Sequence, residues 1–332
     1  MYGERLVVVA GGATEGTGIS ATEAILKEPF GTEFDGAGNM WIVEMASGNR
    51  LLKVDAQGVL THVAGRLQPG DHGDGGPALQ AQFNGPHNLA VLPSGNILIA
   101  DTWNGRVRQV DVKTRTVSSL KGYEVPREKA KGAGPYCITL DAEGAYLYIA
   151  NLRQILKLDV ASGEVTVVAG NGEKGVPKDG AVATEAPLVD PRAVAPDRAG
   201  NVYILERGGN ALRVVDASGR IRTVVNASGK KGGEGDGGPA LQATMNGPKH
   251  LCVDKDGSVL IADAEAHLIR RYQPKDGTIQ RVAGTGKKGD AGIGGDPKQA
   301  ELARPHGVTV HPQTGEIYIT DSYNNRVLKI VK

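Results

Sequence analysis

Short apolar runs rich in Val, Ile, Leu and Tyr alternate with turn residues along the whole chain, and this reads as strands rather than helices. The runs keep step with a recurring proline. Pro29, Pro86, Pro135, Pro191, Pro248 and Pro305 lie 57, 49, 56, 57 and 57 residues apart, so one unit is used six times. After each proline comes an apolar run, a turn with Gly or Asp, and a second run ending in an acid or amide: MWIVE, ILIAD, YLYIAN, VYILE, VLIAD and IYITD. A third run ends near Asp, and a fourth follows at 60–64, 116–120, 165–169, 221–225 and 279–283. Four antiparallel strands per unit make one blade, which predicts an all-β, six-bladed β-propeller. The sixth unit stops at Lys332, after its third strand. Residues 5–11, RLVVVAG, match VTVVAG at 165–170 and are expected to complete blade 6, closing the ring and leaving no open edge.

Length and composition agree with a single domain over residues 1–332, because a radially repeated fold grows without enlarging any one core. Glycine supplies 48 of the 332 residues, about twice the average share, mostly in turns and long connections. A net charge of +1 offers no basic field to nucleic acid, and no apolar run approaches the roughly 18 residues that span a bilayer. A soluble monomer is expected. Cys137 and Cys252 fall in innermost strands of non-adjacent blades and read as free thiols. No charged-then-apolar leader precedes the first strand, but a chain trimmed of a signal peptide would look the same; the expected compartment is periplasmic or secreted in that case and cytoplasmic otherwise.

The connections between blades are self-similar: GDGGPALQA at 73–81 and again at 235–243, DGAVATEA at 179–186 and GISATEA at 18–24. With the blade cores Asp101-Thr102-Trp103-Asn104-Gly105-Arg106 and Asp321-Ser322-Tyr323-Asn324-Asn325-Arg326, this lettering resembles the bacterial branch of the NHL-repeat propellers over nearly the whole chain. Blade 3, with Asn151-Leu152-Arg153-Gln154, departs most. Segments 170–175 and 284–289 both spell GxGxxG, yet they sit in connections with no long helix after them, so no nucleotide cofactor is expected. Asp71, Asp74, Asp236 and Asp296 could hold Ca²⁺ among glycine carbonyls, or cap the short PALQA turn, which is the simpler reading. Asn226-Ala227-Ser228 is a formal glycosylation sequon.

The candidate chemistry sits immediately after each repeated proline. Innermost strands line the channel of a propeller, so Phe30, His87, Tyr136, Arg192, Lys249 and His306 should ring one channel mouth, while His250, one place further on, should point into its blade. The second strands run back to the same face and bring Glu44, Asp101, Asn151, Glu206, Asp263 and Asp321. These acids either meet the bases at the mouth or cap backbone amides and pair with arginines such as Arg50, Arg106 and Arg326. Arg192 and Lys249 on consecutive blades could clamp a carboxylate or phosphate. His87 or His306 could exchange a proton, and Tyr136 could donate to a developing oxyanion. Trp103 and Tyr323, in equivalent loops, could wall a substrate pocket.

Gly85-Pro86-His87-Asn88 and Arg304-Pro305-His306-Gly307 are similar to blades of the peptidyl-hydroxyglycine amidating lyase, whose histidines after proline bind zinc. They are also similar to virginiamycin B lyase, where Tyr and His after proline act with a nearby Glu and Mg²⁺; Met40-Trp41-Ile42-Val43-Glu44 resembles its second-strand pattern. The resemblance implies one divalent metal, Zn, Ca or Mg, on His87 and His306. Arg192 stands where the zinc pattern has its third histidine, so a carboxylate such as Glu206 would have to complete the set. Two function classes follow. One is a lyase or hydrolase acting on a small anionic substrate, with or without metal; the other is a non-catalytic scaffold for a protein, peptide or glycan.

Overall fold

The structure, a computed structural model, describes residues 3–13, 20–125 and 133–332; the first two residues of the connector segment 18–24 lie outside them. Six antiparallel sheets stand in a ring, each with its strands in chain order from the axis outwards. Blade 1, for instance, runs Pro29–Phe34, Met40–Glu44, Arg50–Val54 and Leu60–Gly65. Blades 4 and 5 gain a fifth, two-residue strand, Ala181–Val182 and Gly238–Pro239. The 3-10 turns in the connections, such as Ala78–Gln80 and Ala240–Gln242, are three residues long. Blade 6 takes its outer strand from the chain start: Arg5–Gly11 pairs antiparallel with Arg326–Val331 from Arg5 opposite Val331 to Gly11 opposite Arg326.

Apolar faces of neighbouring blades pack on each other, as radial repetition requires. Trp41, Val43 and Leu51 of blade 1 meet Phe83, Leu89, Ile97 and Ile99 at blade 2. The added strand joins two such layers, Leu6 in the blade 5–6 cluster and Ala10 in the blade 6–1 cluster. Cys137 and Cys252 are free thiols, and burial pushes them up to about 11 and about 12.

Two expectations about the connections need correction. Asp296 does cap its 3-10 turn, accepting from Lys298 N–H, but Asp74 and Asp236 turn inward to arginines: Asp74 lies 2.8 Å from Arg108 and Asp236 2.9 Å from Arg270. A guanidinium buried in the third strand needs a carboxylate more than an exposed turn needs a cap. The sequon is blocked as well, because the Asn226 amide is buried and donates to the carbonyls of Asn210 and Lys230.

A bulge at the head of each innermost strand fixes what faces the channel. In blades 1 and 4 the register slips between Pro29 and Gly31 and between Pro191 and Ala193, leaving Phe30 and Arg192 as the extra residues. In blades 2, 3, 5 and 6 the N–H of His87, Tyr136, Lys249 or His306 bonds the carbonyl of the very residue that its successor opposes. Two residues thus face one, and the side chain is re-aimed. Strand alternation restarts after the bulge, so the channel-facing series is Glu33, Thr139, Cys252 and Thr309, with His250 one step above Cys252.

Candidate functional site

Phe30, His87, Tyr136, Arg192, Lys249 and His306 converge on one cavity of about 30 Å³, joined by His250. That is room for one or two water-sized groups. Five of the six ring residues follow a loop tied down by the acid of their own blade, at a spacing of three: Glu44 accepts from Lys27 N–H, Asp101 from Asn84, Glu206 from Val189, Asp263 from Asn246 and Asp321 from Ala303, all at 2.6–2.8 Å, whereas blade 3 has Asn151 in place of the acid. Two residues before the ring position the backbone turns left-handed, even at Glu28, Asp190 and Arg304, a conformation that costs about 1–2 kcal/mol for a residue with a Cβ. At Gly85 the reason is contact: a Cβ there would lie 2.5 Å from the Trp103 indole.

The second-strand acids do not meet the bases at the mouth. They are buried behind it, and their remaining oxygens pair with third-strand arginines: Glu44 with Arg50, Glu206 with Arg213 and Asp321 with Arg326 at 2.6–2.8 Å, Asp101 with Arg108 and Asp263 with Arg270 at 3.4 Å. Arg108 rather than Arg106 serves Asp101. Burial raises the Glu206 carboxyl, and Arg213 with the Val189 amide pulls it back. Both Glu206 oxygens are therefore committed, so Glu206 does not join His87 and His306. Among the described residues no three His, Cys, Asp or Glu are grouped to hold a metal ion. Two imidazoles facing a cationic wall are a poor fit for a divalent cation.

His250 differs from expectation too. The bulge puts it on the channel side, where Nδ1–H donates to Val308 O at 3.1 Å and Nε2 accepts from Asn88 Nδ2 at 3.2 Å, while Asn88 Oδ1 accepts from Ile138 N–H. Blades 2 and 5 lie opposite one another, so this bridge crosses the axis and floors the mouth. Beyond it the channel opens into a separate cavity of about 840 Å³, where burial pushes the Glu33 carboxyl up to about 7. Glu33 was not singled out from the sequence; counting alternation from the bulge would have found it.

Around the mouth, blades 6, 1, 2 and 3 present rings. Phe30 stacks on His306 at 4.0 Å and meets His87 edge-on at 5.0 Å; His87 meets Trp103 and Tyr136 at 6.1 and 5.4 Å, and His306 meets Tyr323 at 5.7 Å. His87 Nδ1 lies 2.7 Å from Gly85 O, and a carbonyl only accepts, so the proton is on Nδ1 and the lone pair on Nε2. Burial, with Arg192 and Lys249 nearby, pushes His87 down to about 3, and burial with Lys249 and Arg304 nearby pushes His306 well below its ordinary value. Both are neutral at pH 7. His306 is buried, and its Nδ1 has no hydrogen-bond partner among the described residues.

Blades 4, 5 and 6 present cations. Arg192 lies over the Tyr136 ring at 3.6 Å and 2.8 Å from Asp190, which Arg207 also approaches at 3.6 Å. Arg304 pairs with Glu265 and donates to Tyr323 Oη at 2.9 Å. Lys249 makes no ion pair among the described residues; burial, Arg207, Arg192 and Arg304 outweigh Glu265 and push its amine down to about 8. Four cations thus face two carboxylates. Arg207, Glu265 and Arg304 were not singled out from the sequence, because nothing in a connecting loop marks which way it points.

The NHL repeat family matches residues 83–110 and 302–330, and the teneurin NHL domain matches residues 118–234, together about half of the chain. The chain is an NHL-repeat β-propeller. It is 26% identical over 269 residues to the chloroplastic protein SUPPRESSOR OF QUENCHING 1 of Arabidopsis thaliana, covering 74% of this NHL chain and 25% of that protein. This NHL chain spans less than half the length of the other curated relatives noted with it, which include Teneurin-1 and NHL repeat-containing protein 2 of Gallus gallus. Among solved structures, an auxiliary nutrient binding protein from Bacteroides ovatus superposes with a TM-score of 0.73 at 16% identity, covering 100% of this chain and 77% of that one. Virginiamycin B lyase from Staphylococcus aureus superposes with a TM-score of 0.57 at 14% identity, covering 99% and 100%. At these identities the likeness to solved structures is one of fold.

Proposed function

We propose that the channel mouth binds a carboxylate or phosphate on Lys249 and Arg192, and that the protein is a lyase or hydrolase acting on the molecule that carries this anion. The observation that carries the reading is Lys249, an amine with no carboxylate partner among the described residues, set among three arginines at the rim of the cavity. Such a cluster opposes folding, and an anion relieves it. The neighbouring imidazoles supply the chemistry. With Nδ1–H held by Gly85, His87 offers the lone pair of Nε2 to a proton on substrate carbon or on water, while the cations neutralise the charge that develops. The donor set calls for no metal in this step.

Screening lactones, short peptides and sugar acids for turnover tests the reading, and two substitutions separate the roles. Arg192→Ala should raise KM by roughly 10- to 150-fold, the worth of a hydrogen bond to a charged group. His87→Ala should lower kcat by roughly 10²–10⁴ with KM little changed. If an anion binds and neither water nor a proton is exchanged with any of these substrates, the mouth is a binding site and the protein a scaffold.

A further inference from the structure

The mouth has two unlike halves, and their arrangement says more about the ligand than charge alone. Starting at Arg304 and passing through blades 6, 1, 2 and 3, the side chains are Tyr323, His306, Phe30, His87, Trp103 and Tyr136, each ring within 4.0–6.1 Å of the next or of a shared neighbour. The arc is bounded at both ends by a guanidinium lying on a ring, Arg304 over Tyr323 at 4.8 Å and Arg192 over Tyr136 at 3.6 Å. Lys249, on blade 5, closes the circle between Arg192 of blade 4 and Arg304 at the entry to blade 6. The chain has only 14 Phe, Trp and Tyr residues, and four of them stand here. Tyr323 keeps 46% of its surface exposed although it is a large apolar ring.

Resting on the anion reading above, we infer that the ligand is an aryl carboxylate: its carboxylate enters the cavity against Lys249, and its ring lies across the rim on the faces of Trp103 and Tyr323. The cavity of about 30 Å³ admits a carboxylate and no ring, so the body of the ligand has to remain outside, where the exposed surface is aromatic. His306 sits between the two subsites, stacked on Phe30 and tilted against Tyr323, and its Nδ1, without a hydrogen-bond partner among the described residues, offers the head group one further polar contact. Hydrophilic acids gain the cations and nothing from the arc. Neutral aromatics gain the arc and leave Lys249 as it was.

Isothermal titration of the whole protein at pH 7 with acetate, gluconate, phenylacetate, cinnamate and benzyl alcohol tests this. Phenylacetate and cinnamate should bind about tenfold more tightly than acetate, as a ring pair of ordinary strength allows, and benzyl alcohol should not bind. Tyr323→Ala should reduce that advantage at least threefold and leave acetate unchanged. Trp103→Phe, which keeps a ring over Gly85, should change it less. Equal affinity for acetate and phenylacetate, or tighter binding of gluconate than of either, would overturn the aryl assignment while the anion site stands. No binding of any carboxylate would remove both.

Discussion

Deleting residues 1–12 should leave blade 6 without cooperative structure, a far larger effect than trimming a terminus usually has. The lost strand pairs six positions with Arg326–Val331 and withdraws Leu6 and Ala10 from the layers on either side of blade 6. Six backbone pairings at about 0.5–1.5 kcal/mol each and a buried leucine worth about 1.5–3 kcal/mol already approach the 5–15 kcal/mol that holds a domain together. The bared edge would also invite pairing with another copy. Thermal unfolding with size-exclusion chromatography checks this: the truncated chain should melt at least 10 °C lower or self-associate. Melting within a couple of degrees of the full chain would contradict closure by the terminal strand.

Glu206→Ala should cost about 3–5 kcal/mol, because it strands the buried Arg213 guanidinium and releases the Val189 amide. The loop that Val189 begins carries Arg192, so any binding at the mouth should weaken along with stability. Chemical denaturation separates charge from packing. In the double variant Glu206→Ala, Arg213→Met most of the lost stability should return, since no buried charge is left unpaired. A single variant as stable as the wild type would mean that Glu206 is not the anchor of that loop.

Much of the fold is legible in the sequence. The prolines repeat at 49–57 residues because each opens an innermost strand, and the closing strand betrays itself by matching the fourth run of blade 3. The ring was legible for the same reason: the proline marks the bulge, and the next residue is the one the bulge re-aims. The error at His250 has that bulge as its cause. Counting alternation straight from the ring put His250 inside the blade, and an extra residue puts it on the axis, hydrogen-bonded to Asn88. The acids were read both ways, and burial decides between them: a carboxylate at 0% exposure beside an arginine one strand away is an anchor for the loop. What could not be read was the balance of charge. Whether Lys249 has a carboxylate depends on where Asp190 and Glu265 turn, and each of them takes an arginine instead.

The most direct test of an anion site at the mouth is calorimetric titration of acetate and phosphate into the wild type and Lys249→Met between pH 6 and 10. The wild type should bind one anion, with affinity falling as pH rises past about 8, because the amine is charged below that value and neutral above it, and a bound anion moves the midpoint upward. Lys249→Met should lose most of the affinity below about pH 8, where the wild-type amine is charged, and melt about 2–4 °C higher, having shed a half-buried charge that arginines repel. Equal binding by both proteins, or none by the wild type at pH 6, would contradict an anion site built on Lys249.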